Sequence, residues 1–184
     1  MTMYKKILAA ATGLFETRGI QASGVDTIIA EAGVAKATLY KHFPSKNELI
    51  IAYLRDKSDK FYVWLNDRLS AKKATSLEIL FELCDLVEIW ISTPAFHGLP
   101  FHIASVEFPD PAHPINQYSA VLAVELQEYL SKIATIAGAK DPEGLGQQLT
   151  ILFEGAALVE RLNPGSGAAK RAKNAAVMLI NASI

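Results

Sequence analysis

SGVDTIIAEAGVAKATLYKHFPSK, residues 23–46, writes two short helices joined by a tight turn and then the start of a third. Ser23 stands where an N-cap would, with Asp26 in the place of the reciprocal capping acid, and Ile28, Ile29 and Ala32 form an apolar stripe at helical spacing. Gly33 ends that helix. A residue without a Cβ takes the left-handed conformation that a sharp helix-to-helix turn needs, and Val34 then plugs the gap between the helices. The second helix covers about residues 36–43 and is too short and too polar to be stable alone. Leu39 and Phe43, four residues apart, turn to a core and leave Lys36, Ala37, Thr38, Lys41 and His42 outward. Pro44 stops this helix, and Ser45-Lys46-Asn47-Glu48 has the capping-box pattern that opens the next.

A short exposed helix with small side chains and donors near its N-terminus suits insertion into a DNA major groove, where bulk must be low and polar groups must reach base edges and phosphates. The plain alternative is a helical hairpin with a glycine turn and a solvated polar face. Charge favours the first reading. Residues 1–60 hold nine Lys/Arg against six Asp/Glu, a net +3, whereas residues 61–184 hold nine against thirteen, a net −4. Attraction to phosphate is thereby confined to one end of the chain.

With its preceding helix, ILAAATGLFETRGIQASGVDTIIAEAGVAKATLYKHFPSKNELI, the segment resembles the N-terminal domain of the TetR (tetracycline-repressor) family. The resemblance rests on Phe15, Arg18-Gly19, Ala32-Gly33-Val34, Thr38-Leu39-Tyr40, His42-Phe43 and Lys46 at fixed offsets. It implies that residues 36–43 are the recognition helix, with Lys36, Ala37 and Thr38 facing base edges while Tyr40, His42 and Lys46 grip phosphates. Thr27 and Lys41 complete the expected DNA-binding set. One departure is Ala35, which stands where a helix-capping Ser or Thr is often found, a loss of about 1 kcal/mol.

The remainder of the 184 residues, in a chain 51% apolar, is enough for one or two domains with a sizeable core. No segment shows strand alternation, so the expected class is all-α: a three-helix helix-turn-helix domain over residues 1–46 and a helical effector-binding and dimerisation domain over residues 47–184. Cys84, the single cysteine, excludes an internal disulfide and reads as a buried small hydrophobe among Leu83, Leu86 and Val87. No run of ~20 apolar residues offers a membrane span, and a cytoplasmic location is expected. Helical spacing predicts one long helix over residues 46–70, a connector over 71–75, and a helix opened by Ser76 with Glu78 and ended before Pro94. A short helix over residues 96–107 precedes Pro109, Pro111 and Pro114, which break structure. Further helices are predicted over 115–137, 142–162 and 168–182.

In the last two helices Gly155, Ala156, Ala157, Ala168, Ala169, Ala172, Ala175 and Ala176 are small, and such faces let helices approach closely. In the resembled family two such helices pair with their symmetry mates, and the need is physical: one head reads a half-site, two read a palindrome. An Ala face packed within the monomer is the alternative. Aromatic groups with a few polar partners between the middle helices suggest a small-molecule cavity, with Trp90, Phe101, His102, Tyr118 and Phe153 as candidate ligand contacts for an unknown effector. An aromatic stripe at helical spacing is equally a core. His97, His102 and Glu107 follow one another at five-residue steps of about 140° and do not share a helix face, so no metal site is expected. No cofactor is implied, and no nucleophile elbow, phosphate loop or paired carboxylates suggest catalysis. The sequence reading is a DNA-binding regulator, a homodimeric repressor released from a palindromic double-stranded operator by an effector. Its rival is a small-molecule- or metal-binding helical protein whose hairpin does not engage DNA.

Overall fold

The computed structural model describes residues 2–71 and 75–184. Among these the chain forms α1 (Met3–Arg18), α2 (Val25–Ala32), α3 (Lys36–His42), α4 (Lys46–Ala71), α5 (Ser76–Ile91), α6 (Pro100–Glu107), α7 (Pro114–Ala137), α8 (Pro142–Leu162) and α9 (Ala168–Ser183). The all-α architecture read from helical periodicity is the one adopted. Of the predicted connector, Ala71 belongs to α4 and Thr75 to the start of α5, while residues 72–74 lie outside the described residues. The chain divides into two compact units, one holding the residues up to Asp59 with Pro100–Ala120, the other Lys60–Leu99 with Val121–Ile184. By sequence, α4 and α7 each continue from one unit into the other.

The first unit is organised around α1, whose Ile7, Ala11, Leu14 and Phe15 are buried at helical spacing. Ile28 of α2, Leu39 of α3, and Leu49, Ile50, Tyr53 and Leu54 of α4 are buried in the same unit. Phe15 meets Tyr53 edge-on at 5.2 Å, and Tyr4 stacks on Phe43 at 4.7 Å. A seven-residue helix such as α3 cannot persist on propensity. Leu39, fully buried, and Phe43, nearly so, hold it, each side chain contributing about 1.5–3 kcal/mol of burial. Gly33 ends α2 at φ +56°, with its amide donating to Ala30 O and that of Val34 to Ile29 O, both at 3.1 Å. These paired bonds form a Schellman turn and set the sharp joint before α3.

Three local expectations are corrected. Ser23 does not cap α2: Gly24 is the N-cap, and the fully buried Ser23 hydroxyl donates instead to Gly19 O at 2.7 Å. A buried hydroxyl must find an acceptor, and the end of α1 supplies one. The cap of α5 is Thr75 rather than Ser76, in a reciprocal box where the Thr75 amide donates to Glu78 Oε2 at 2.6 Å and the Glu78 amide to Thr75 Oγ1 at 3.4 Å. Finally, α6 begins at Pro100, not at residue 96. Gly98 has φ +94°, outside any helix, and a Cβ there would lie 2.6 Å from Arg161 Cδ. Proline then suits the first helical position.

In the second unit α9 packs against α8 and α5. Ala156 and Ala157 of α8 and Ala168, Ala169, Ala172 and Ala176 of α9 are buried within the chain. These six small residues serve packing inside the monomer, the alternative weighed for them, while Gly155 is exposed and Ala175 half-buried. Left exposed on α8 are Ile151, Gly155, Leu158 and Leu162, spaced 4, 3 and 4 residues apart, with Met178 on α9. Lys173 bridges Asp85 and Glu88 at 2.7 and 2.6 Å, tying α9 to α5. The Glu160 carboxylate is buried at the end of α8 and accepts from the Gly165 amide (2.6 Å), the Ser166 hydroxyl (2.7 Å) and the Ala168 amide (3.2 Å), so it organises the turn into α9. The Cys84 thiol is fully buried, and that burial pushes its pKa up to about 12.

Candidate nucleic-acid interface

The outward face of α3 follows from its two inward anchors. With Leu39 and Phe43 buried, the helix leaves Lys36, Ala37, Tyr40 and Lys41 exposed, while Thr38, His42 and, on α2, Thr27 are half-buried. Tyr40, next in sequence to Leu39, keeps 41% of its surface accessible, so it is no core aromatic. His42 meets the Tyr4 ring edge-on at 6.5 Å. No side chain caps α3, whose N-cap is Ala35.

Two cations of this surface have partners in the chain itself. Lys36 Nζ lies 3.1 Å from Asp26 Oδ1, an open ion pair between α3 and the first turn of α2. Lys46 Nζ donates to Ile20 O at 2.8 Å and to Gln21 O at 3.2 Å, beyond the end of α1. Burial lowers its pKa, a shift opposed by the nearby Glu107 carboxylate. That carboxylate grips the same turn from its other side. Glu107, the last residue of α6, accepts from the Ile20 amide at 3.0 Å and the Gln21 amide at 2.6 Å, and its backbone carbonyl accepts from the Gln21 side-chain amide. The Ser45 hydroxyl accepts from the Glu48 amide at 3.1 Å, half of the box predicted at the start of α4.

The family model described as bacterial regulatory proteins, tetR family, matches residues 7–53, the span from α1 into α4 that builds this surface. A solved TetR-family transcriptional regulator from Streptomyces coelicolor, SCO4454, superposes with a TM-score of 0.89 at 25% identity, over 98% of this chain and 95% of that one. The N-terminal domain of this chain belongs to the TetR family. Among its relatives, the HTH-type transcriptional regulator LmrA of Bacillus subtilis is 30% identical over 114 residues, 61% of each protein. The HTH-type transcriptional activator FasR of Mycolicibacterium smegmatis is 46% identical over 54 residues, 29% of this chain and 25% of FasR. The chain therefore spans about three-fifths and one-quarter of the lengths of these two relatives.

Beyond that domain the five candidate ligand residues fall in separate units. Trp90 and Phe153 belong to the second, where Trp90 lies 4.5 Å from Phe61 and 5.0 Å from Phe96 between ring centroids, and Phe153 is buried. Phe101, His102 and Tyr118 belong to the first. There the Phe101 and His102 rings meet edge-on at 4.7 Å, and the Tyr118 hydroxyl accepts from Arg55 Nε at 3.1 Å with the guanidinium 5.7 Å from its ring centroid. A groove of about 330 Å³ opens in the second unit between α4 and α7, and none of the five lines it. Its walls are Tyr62 and Asn66 of α4 with Glu125, Glu128, Tyr129 and Lys132 of α7. The Tyr129 hydroxyl donates to Asn66 Oδ1 at 2.9 Å, and burial raises the pKa of both phenols. Spacings of four residues on α4 and of three, four and seven on α7 were readable as one polar-aromatic face on each helix, but helical spacing does not say which faces meet. Among the described residues no three His, Cys, Asp or Glu side chains cluster as metal ligands, and no helix is long and apolar enough to cross a membrane.

Proposed function

We propose that this chain is a DNA-binding transcriptional regulator that acts as a homodimer, with residues 1–46 reading a half-site and residues 47–184 dimerising and binding an effector. The observation that carries the reading is α3 itself: a helix anchored by Leu39 and Phe43, presenting Lys36, Ala37, Tyr40 and Lys41 outward, within the span that matches the family. A short helix of this kind enters the major groove, its small residues admitting it and its donors reaching bases and phosphates.

The dimer reading is supported by the exposed row Ile151, Leu158 and Leu162 with Met178, each 53–76% accessible on the last two helices. Large apolar side chains contiguous on one face are the usual mark of an interface. Two heads related by a two-fold axis then read a palindrome. The groove between α4 and α7 is the site offered for an effector, which would act by favouring a state with α4 displaced and the two heads out of register with successive major grooves. We assign a repressor's role on this mechanism. The relative FasR, matched over 54 residues, is named an activator.

Retention of genomic duplex fragments at two ionic strengths tests the reading. Binding that weakens steeply with salt is expected. No retention at the lower ionic strength would leave the protein without a DNA partner and sink the proposal.

A further inference from the structure

Lys46 and Glu107 hold the two sides of one turn. The ammonium takes the carbonyls of Ile20 and Gln21, and the carboxylate takes their amides, so four of the polar backbone groups of two consecutive residues are bound by two opposite charges. The two charges also attract one another. Ile20 is 1% exposed, so its backbone groups sit where water gives little alternative. These contacts are non-local, Glu107 lying 87 residues from Ile20 in sequence and Lys46 lying 26.

We infer that Lys46 and Glu107 form a clamp that positions the DNA-reading head, and that Lys46 is a positioning residue rather than a phosphate contact. Two of the three ammonium donors are spent on the turn, and a side chain swung out toward a phosphate would lose both bonds and leave the buried Ile20 carbonyl without this donor. The position at the first turn of α4 adds to the argument. A cation is unfavourable at a helix N-terminus, and carbonyls just past the end of α1 offset that cost. Glu107 acts in turn through the backbone of residues 20 and 21, fixing the joint between α1 and α2 from which the recognition helix is carried.

The inference rests on the DNA-binding reading, and its test keeps the two apart. Lys46→Met removes the charge and keeps the length of the side chain; Glu107→Gln keeps the shape and loses one acceptor. The first measurement is the salt dependence of binding to a labelled random-sequence DNA duplex. A phosphate contact contributes about 0.9 to the slope of log K against log salt, so Lys46→Met should leave the slope of the wild-type protein unchanged. A slope shallower by about 0.9 would overturn the inference. The second measurement needs no DNA. Amide exchange at Ile20 and Gln21 should quicken by about tenfold or more in Glu107→Gln while amides in α3 keep their protection, which also reports that the variant is folded. Unchanged exchange at both residues would overturn the clamp. Absence of DNA binding by the wild-type chain would count against the proposed function alone, the exchange measurement still deciding the clamp.

Discussion

Replacing Asp26 by Asn should strengthen DNA binding. In the free protein the Asp26 carboxylate holds Lys36 at 3.1 Å, and a base edge approaching α3 must compete with it. Both side chains are open to solvent, 57% for Lys36 and 82% for Asp26, so the pair is screened and worth about 0.2–1 kcal/mol. Release of that hold corresponds to a gain of about 1.4- to 5-fold in affinity. Loss of a negative charge beside the interface adds to the gain in the same direction. Stability should move the other way, because Asp26 also sits in the first turn of α2, where a carboxylate gains about 0.3–1 kcal/mol from the helix dipole. The variant is therefore expected to melt slightly lower and bind more tightly. Fluorescence anisotropy with a labelled duplex, at two salt concentrations, measures the first quantity, and a thermal melt the second. The reasoning fails if Asp26→Asn binds more weakly with its fold intact, since Asp26 would then be positioning Lys36 for the DNA rather than competing for it. Lys36→Met provides the converse: weaker binding, with an altered preference among duplex sequences.

Other consequences follow from the body. A Cβ on Gly146 would lie 2.7 Å from the Ser131 amide nitrogen, a clash with backbone, so Gly146→Ala should lower stability by about 1–3 kcal/mol despite the ~1 kcal/mol helix gain of alanine; a thermal melt at or above wild type would refute this. The Ser166 hydroxyl, with the amides of Gly165 and Ala168, holds the Glu160 pKa below its ordinary value. A carboxylate so depressed contributes stability that is complete above about pH 4.3 and lost as pH falls through the folded pKa, so acid melts of Glu160→Gln should show a flatter decline than wild type, and identical declines would count against the assignment. Leu158→Asp places a charge within the exposed apolar row of α8, and sedimentation should report half the wild-type mass with helicity kept; an unchanged dimer would move the interface elsewhere.

The hairpin was legible because its determinants are local. Gly33, Leu39, Phe43 and Pro44 act within a few residues of themselves, through a left-handed turn, a one-turn apolar pair and a missing donor, and the structure keeps each in the role its neighbours imply. The candidate ligand set was less legible. Trp90, Phe101, His102, Tyr118 and Phe153 were chosen by size and chemistry, and the chain distributes them over two units while a groove forms from Tyr62, Asn66 and the polar face of α7. Periodicity gives each helix an inward side without naming the helix it will face.

Sequence alone determined the all-α class, the helix-turn-helix and the exposed recognition face, since these depend on 3.6-residue spacing and on what glycine and proline permit. Tertiary structure decided where the polar groups point. Ser23 turned from a cap to the Gly19 carbonyl, the alanine faces of α8 and α9 turned inward, and Lys46 turned from solvent to the turn that Glu107 holds from its other side. A lysine bonds whatever acceptor the fold brings within reach, and here that acceptor lies 26 residues away in sequence, beyond any local pattern.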